Sequence, residues 1–190
     1  MRITDAINES ILTKQRILAD QRLLEVIQEV ADTCAEAFCD GNKVLFCGNG
    51  GSAADAQHLA AEFSGRFNYD RAPLPSEALH VNTSYLTAVA NDYSFEEVYS
   101  RILKGTGNEG DVLIAISTSG NSANIIRALE TARKMGIITV GLTGKTGGKM
   151  KNLCDFLINV PSLETPRIQE SHIMIGHIIC EYVESTIFPK

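Results

Sequence analysis

The sequence predicts an α/β protein on a doubly wound, five-stranded parallel sheet, preceded by a helical extension. Five short apolar runs, partly β-branched, alternate with helical stretches between residues 43 and 187, the pattern of βαβ units rather than of hairpins. Two of these runs end in glycine- and serine-rich turns that open directly onto helices, where ligands of such sheets sit. Hydrophobic residues at 44% and charged residues at 21% of 190 are ordinary for one globular domain. The chain is therefore read as a single domain over 1–190, with 1–40 as N-terminal helices and 41–190 as the α/β core.

Residues from about 3 to 40 carry apolar positions at helical spacing, among them Ile7, Ile11, Ile17, Leu24, Ile27, Val30, Cys34 and Phe38, and Asp40-Gly41-Asn42 stops them. The predicted strands follow at Lys43–Cys47, Ala78–Asn82, Asp111–Ser117, Ile137–Thr143 and Phe156–Val160. Between them the spacing predicts helices over about 52–66, 84–91, 95–104 and 122–135, with a last long one over 165–187. That last helix is apolar on more than one face, so one stripe can cover the sheet and the rest needs another partner. The N-terminal helices, which precede the sheet, need one too. The expectation is a homo-oligomer with helical interfaces.

A formal net charge of −6 argues against a general binder of nucleic acid or of anionic membranes, either of which wants a basic face. It leaves room for a local anion site built from backbone N–H groups. No apolar stretch approaches the roughly 20 residues needed to span a bilayer, and the first residues lack the pattern of a signal peptide. Five cysteines (Cys34, Cys39, Cys47, Cys154, Cys180) without any C-x-x-C read as reduced thiols of a cytoplasmic protein, not a disulfide frame or a thiolate zinc site.

The first glycine turn, Gly48-Asn49-Gly50-Gly51-Ser52, matches neither the dinucleotide fingerprint nor the P-loop. Its glycines let the backbone approach a ligand closely, and Ser52 stands where a helix N-cap is expected, although a βα turn needing positive φ would use the same residues. The second turn, Ser117-Thr118-Ser119-Gly120-Asn121-Ser122, is more telling. It gathers four hydroxyls and a glycine at a helix N-terminus, where unpaired N–H groups and the positive dipole end favour an anion. One serine would suffice as a cap, so the excess points to a phosphate cradle. Few lysines and arginines crowd the turns, which suits a monophosphate rather than a metal-bound triphosphate.

On the helix after the first turn, His58 and Glu62 stand four apart on one face, at chelating distance for a divalent cation, a spacing also common on solvated faces. The last helix sets Arg167, Gln169, Glu170, His172 and His177 among apolar residues. A histidine buried there is costly without a partner, and His177 reads either as a core histidine bonded to a carbonyl or as a general acid or metal ligand. Gln169 and His177 lie about 12 Å apart along a helix axis. They serve one small site by stretching toward each other, or else two chains supply them.

The segments "CGNGGSAADAQHLAAE", "ANDY", "ISTSGNSANII" and "PRIQESHIMIGH", in that order, resemble the phosphoheptose isomerases of the sugar isomerase (SIS) domain superfamily, over about residues 20–187. The resemblance implies a flavodoxin-like SIS fold, a homotetramer with active sites between subunits, and often a zinc ion. It implies interconversion of sedoheptulose 7-phosphate and D-glycero-D-manno-heptose 7-phosphate, the first step of heptose supply for bacterial surface glycans. Carried onto this chain, substrate contacts fall on Asn49, Gly50, Gly51, Ser52, Glu62, Asn91, Asp92, Ser117, Thr118, Ser119, Ser122 and Gln169. The implied zinc set is His58, Glu62, Gln169 and His177, with Glu62 and His177 as the catalytic pair. Moving a carbonyl from C2 to C1 through an enediol needs a carboxylate base and an acid near the oxygens, roles those two side chains suit.

One departure stands near the expected site. Where close relatives are expected to read "ALTTDTS", this chain reads Ala78-Leu-His-Val-Asn-Thr-Ser84, with His80 for threonine and Asn82 for aspartate. The rival readings are a non-catalytic SIS protein of the DnaA initiator-associating type, expected to lack the counterparts of Glu62 and His177, and an isomerase of another sugar phosphate.

Overall fold

The computed structural model describes residues 2–190. Five strands, β1 (Val44–Gly48), β2 (Ser76–Ala78), β3 (Val112–Ile116), β4 (Ile138–Thr143) and β5 (Phe156–Asn159), form one sheet in the order β2-β1-β3-β4-β5. All neighbours pair in parallel, with Phe46 of β1 opposite Ala78 on one side and Ile114 on the other. The central strands are apolar and buried along their length because helices cover both faces.

The helices are α1 (Ile3–Ala19), α2 (Gln21–Cys39), α3 (Gly51–Ser64), α4 (Thr83–Asp92), α5 (Val98–Thr106), α6 (Ala123–Lys134) and α7 (Thr165–Ile187). Alternate strand residues feed two cores. Val44, Phe46, Ile114 and Leu142 meet α2, α3 and α7, whereas Leu45, Cys47, Leu113 and Ala115 meet α4, α5 and α6. The chain leaves β1 toward β2 on one side and returns to β3 on the other. The strand order therefore reverses between β1 and β3, and a crevice opens at their carboxyl ends.

One expectation gains a boundary and another changes. The helical stretch 3–40 is two helices, divided at Asp20, which ends α1 and caps α2 by accepting the Leu23 N–H at 3.0 Å. The second strand lies at 76–78, not 78–82. After Ala78 the chain turns, the Val81 N–H reaching the Ala78 carbonyl at 3.2 Å. Asn82 then caps α4, its side chain accepting the Tyr85 N–H at 3.0 Å. An aspartate would cap equally well, so the Asn82 departure preserves this local structure.

The two N-terminal helices also differ from one another. α2 finds its partner within the chain, burying Leu23, Ile27, Val30, Cys34 and Phe38 against α7 and the sheet. α1 buries only Thr13 and Ile17, and is tied to α7 by the Arg167 guanidinium on the Ala6 carbonyl (2.6 Å) and by Lys14 near Glu170 (3.7 Å). Ile3, Ile7, Ile11, Leu12 and Leu18 of α1 stay exposed.

Candidate active site

The two turns named from the sequence flank the β1/β3 crevice. Asn49 and Asn124 join them by exchanging two amide hydrogen bonds, at 2.9 and 2.8 Å. Tyr99, buried on α5, donates its hydroxyl to the Gly48 carbonyl from behind. Gly50 adopts φ 57° and is the N-cap of α3; Ser52, expected there, lies two residues further on, inside the first turn, and is buried. The reason is steric, since a glycine alone accepts the left-handed backbone that carries the chain from strand to helix. A Cβ on Gly51 would stand 2.7 Å from the Gln169 amide nitrogen, so Gln169 reaches over the first turn from α7.

In the second turn none of the four hydroxyls caps α6. Ser122 is its N-cap residue but makes no side-chain cap, its hydroxyl lying instead 3.1 Å from that of Ser117. Ser119 is exposed and accepts the Asn121 N–H at 3.2 Å; Thr118 is half-buried. The hydroxyls thus gather at the helix start without satisfying it, the geometry of a cradle rather than of redundant caps. The loop after β4 braces this turn, the Gly144 N–H reaching the Thr118 carbonyl at 3.0 Å and the Met150 N–H that of Gly120 at 3.2 Å.

At the far end of α3 a second group assembles. His58 Nε2 lies 2.9 Å from His177 Nε2 and 3.2 Å from Glu62 Oε1, and one ligand atom from each of the three falls within 4.8 Å of the others. α3 and α7 run side by side in the same direction, with Gln169 opposite Gly51 and His177 opposite His58. They approach closely because Gly176 faces Leu59, where any Cβ would collide with the leucine side chain. Within one chain Gln169 and His177 therefore lie at opposite ends of one helix pair. Gln169 belongs to the glycine-turn end and stands apart from the three-residue group.

His172 takes the core role that the sequence left open for His177. It is fully buried, with Nε2 3.1 Å from the Thr143 carbonyl, and burial pushes its pKa down to about 4. Asn91 and Asp92 end α4, exposed and bonded to each other at 2.9 Å, and share no hydrogen bond with either turn. His80 has its pKa lowered by burial and a ring nitrogen without a partner.

Sequence reading missed Asn124, Tyr99 and Asp55. Asp55 lies one turn before His58, and burial raises its carboxyl pKa while the His58 and His177 rings oppose that rise. Its spacing, three before His58 and seven before Glu62, was a readable helical stripe.

The SIS domain model matches residues 8–144. The chain is 60% identical to the phosphoheptose isomerase of Aneurinibacillus thermoaerophilus, covering 98% of this chain and 94% of that one. It is 52% identical to that of Burkholderia pseudomallei strain 1710b, over 99% and 95%. This chain belongs to the phosphoheptose isomerase family. The solved structure of the Neisseria gonorrhoeae phosphoheptose isomerase superposes with a TM-score of 0.91 at 42% identity, covering 97% of each chain. The protein is accordingly an isomerase with the SIS fold. Among the described residues no helix is long and apolar enough to cross a membrane.

The three-residue group fits zinc by donor chemistry and spacing. Two imidazole nitrogens and a carboxylate oxygen are borderline ligands that zinc accepts. A tetrahedral site with bonds near 2.0–2.1 Å separates its ligand atoms by roughly 3.3 Å, close to the 2.9 and 3.2 Å found here.

Proposed function

We propose that this isomerase interconverts sedoheptulose 7-phosphate and D-glycero-D-manno-heptose 7-phosphate through an enediol, at the first step of heptose supply for bacterial surface glycans. The observation that carries the reading is the meeting of His58, Glu62 and His177 on the same helix pair that leads to the glycine turn. Thr118, Ser119 and Ser122 with the start of α6 would take the phosphate, and Ser117 and Ser52 would line the floor of the crevice. Asn49, Gly50, Gly51 and Gln169 would hold the sugar hydroxyls, with Asn91 and Asp92 closing over its far end.

Glu62 turns Oε1 to His58, which leaves its second oxygen to remove the proton from C1 of the ketose and return it to C2. His177 moves the proton between the C1 and C2 oxygens. Zinc held by His58, Glu62 and His177 would supply Lewis-acid polarisation of the substrate oxygens, while within one chain Gln169 stays over the glycine turn. The exposed apolar row of α1, and Ile178 exposed beside His177, support a homotetramer with the site between subunits. The buried thiols Cys34, Cys47 and Cys180, all free, support a cytoplasmic setting.

The test is NMR of the purified protein with sedoheptulose 7-phosphate in D₂O, with and without Zn²⁺. The expected result is the aldoheptose phosphate carrying deuterium at C2. No conversion by folded protein in either condition would overturn the reading and favour another sugar phosphate or a non-catalytic SIS role.

A further inference from the structure

Behind the His58–Glu62–His177 group lies a buried ion pair that neither turn explains. Arg71 Nε meets Glu184 Oε1 at 3.1 Å, with 2% and 1% of the side chains exposed. Each partner is bonded to backbone from the same short segment. Arg71 donates to the carbonyls of Glu62 (2.8 Å), Phe63 (2.7 Å) and Gly65 (3.0 Å), the last turn and C-cap of α3, a helix with no basic residue of its own there. Glu184 accepts the N–H groups of Phe67 (2.9 Å) and Asn68 (2.7 Å). Burial alone would raise the Glu184 carboxyl, but these N–H groups and the guanidinium hold it below the ordinary range.

The bonds lead straight to the proposed chemistry. The carbonyl that Arg71 Nη2 holds is that of Glu62 itself. Phe67, whose N–H Glu184 holds, sets its ring 5.7 Å from the His177 ring, tilted by 32°. Glu184 follows His177 by seven residues, two turns along the same face of α7. We propose that Arg71 and Glu184 are positioning residues: the pair ties the C-terminal end of α3 and the Phe67 segment to α7, and so sets the spacing of Glu62 and His58 against His177. Neither residue touches substrate. The inference rests on reading His58, Glu62 and His177 as the catalytic and metal-holding group, although the geometry it concerns can be measured without that reading.

The experiment compares the full-length parent with Arg71→Lys, Glu184→Gln and Phe67→Leu. In metal-free protein the imidazole NMR signals of His58 and His177 are expected to move, while those of His172, held by Thr143, stay in place. On titration with Co²⁺ as a spectroscopic probe, affinity is expected to fall tenfold or more in Arg71→Lys and Glu184→Gln, and about threefold in Phe67→Leu. With sedoheptulose 7-phosphate, kcat should fall tenfold or more in the two ion-pair variants while KM stays within threefold, because the phosphate cradle is untouched. Folded variants with parent-like imidazole signals, Co²⁺ affinity and kcat would overturn the proposal, as would a rise in KM at constant kcat. If the ion-pair variants do not fold, Phe67→Leu, which leaves the pair intact, decides by the same readouts. A parent that neither binds Co²⁺ nor turns over substrate would sink the functional reading instead, and the imidazole signals would then judge the positioning role alone.

Discussion

The two ends of the α3–α7 pair are built by different means. At the N-terminal end, backbone and small side chains do the work: Gly50 takes the positive φ of the turn, Gly51 leaves room for Gln169 to reach over it, and the hydroxyls of residues 117–122 gather at the start of α6. At the C-terminal end, side chains 119 residues apart in the sequence meet within hydrogen-bonding distance, and their spacing depends on Gly176, Phe67 and a buried ion pair. The first construction suits a ligand that must bind and leave, since each contact is modest. The second suits proton transfer, where an error of one ångström in placement is costly. One end should therefore answer mutation in affinity and the other in rate.

Glu62→Gln should show the largest effect. It keeps the shape and removes the base, so kcat is expected to fall by roughly 10²–10⁴-fold with little change in KM; substantial residual turnover in a steady-state assay would dismiss Glu62 as the base. A control within α7 comes next. His172 is held neutral well below its ordinary value of 6.5, so its contribution to stability is complete above about 6.5 and is lost as pH falls toward about 4. The loss should reach on the order of 3 kcal/mol, and denaturant melts of His172→Gln between pH 7 and 4 should show a flatter dependence. His177, were it the core histidine, would give that signature instead.

Gly176→Ala should push α7 off Leu59, costing about 1–3 kcal/mol by overpacking. It should weaken Co²⁺ binding while sparing phosphate affinity, a split that calorimetry with each ligand would read. Ser119→Ala combined with Ser122→Ala should do the opposite, raising KM about tenfold or more, since hydrogen bonds to a charged group contribute about 1.5–3 kcal/mol each; an unchanged KM would place the phosphate elsewhere. Asn82→Asp should do least. Both side chains cap α4, so the melting free energy should change by less than about 0.5 kcal/mol, and a changed kcat/KM would assign Asn82 a part in substrate choice.

Much of the fold was readable because its signals are local. Strand and helix periods, the turn residues and the crevice rule together located four of five strands to within about two residues and both turns at the crevice. The second strand was misplaced because Leu79-His80-Val81 has strand composition, whereas Asn82 capping α4 and the turn after Ala78 decide the backbone there. Ser52 was placed at the cap for its residue type, but the left-handed backbone at Gly50 takes that position. The joint between α1 and α2 rests on one aspartate within a continuous helical pattern.

By itself the sequence determined the α/β class, the glycine and hydroxyl turns, the His58–Glu62 face and the presence of polar residues in a mostly apolar last helix. Each is set by chemistry within a few residues along the chain. Which of two histidines in α7 serves the core and which joins His58 was decided only by tertiary structure, as were the Asn49–Asn124 bridge and the Arg71–Glu184 pair. Those contacts join residues separated by 29 to 119 positions. None of them exists until the sheet has set α3 against α7 and α6 beside the first turn, so each is fixed by packing and not by neighbours along the chain.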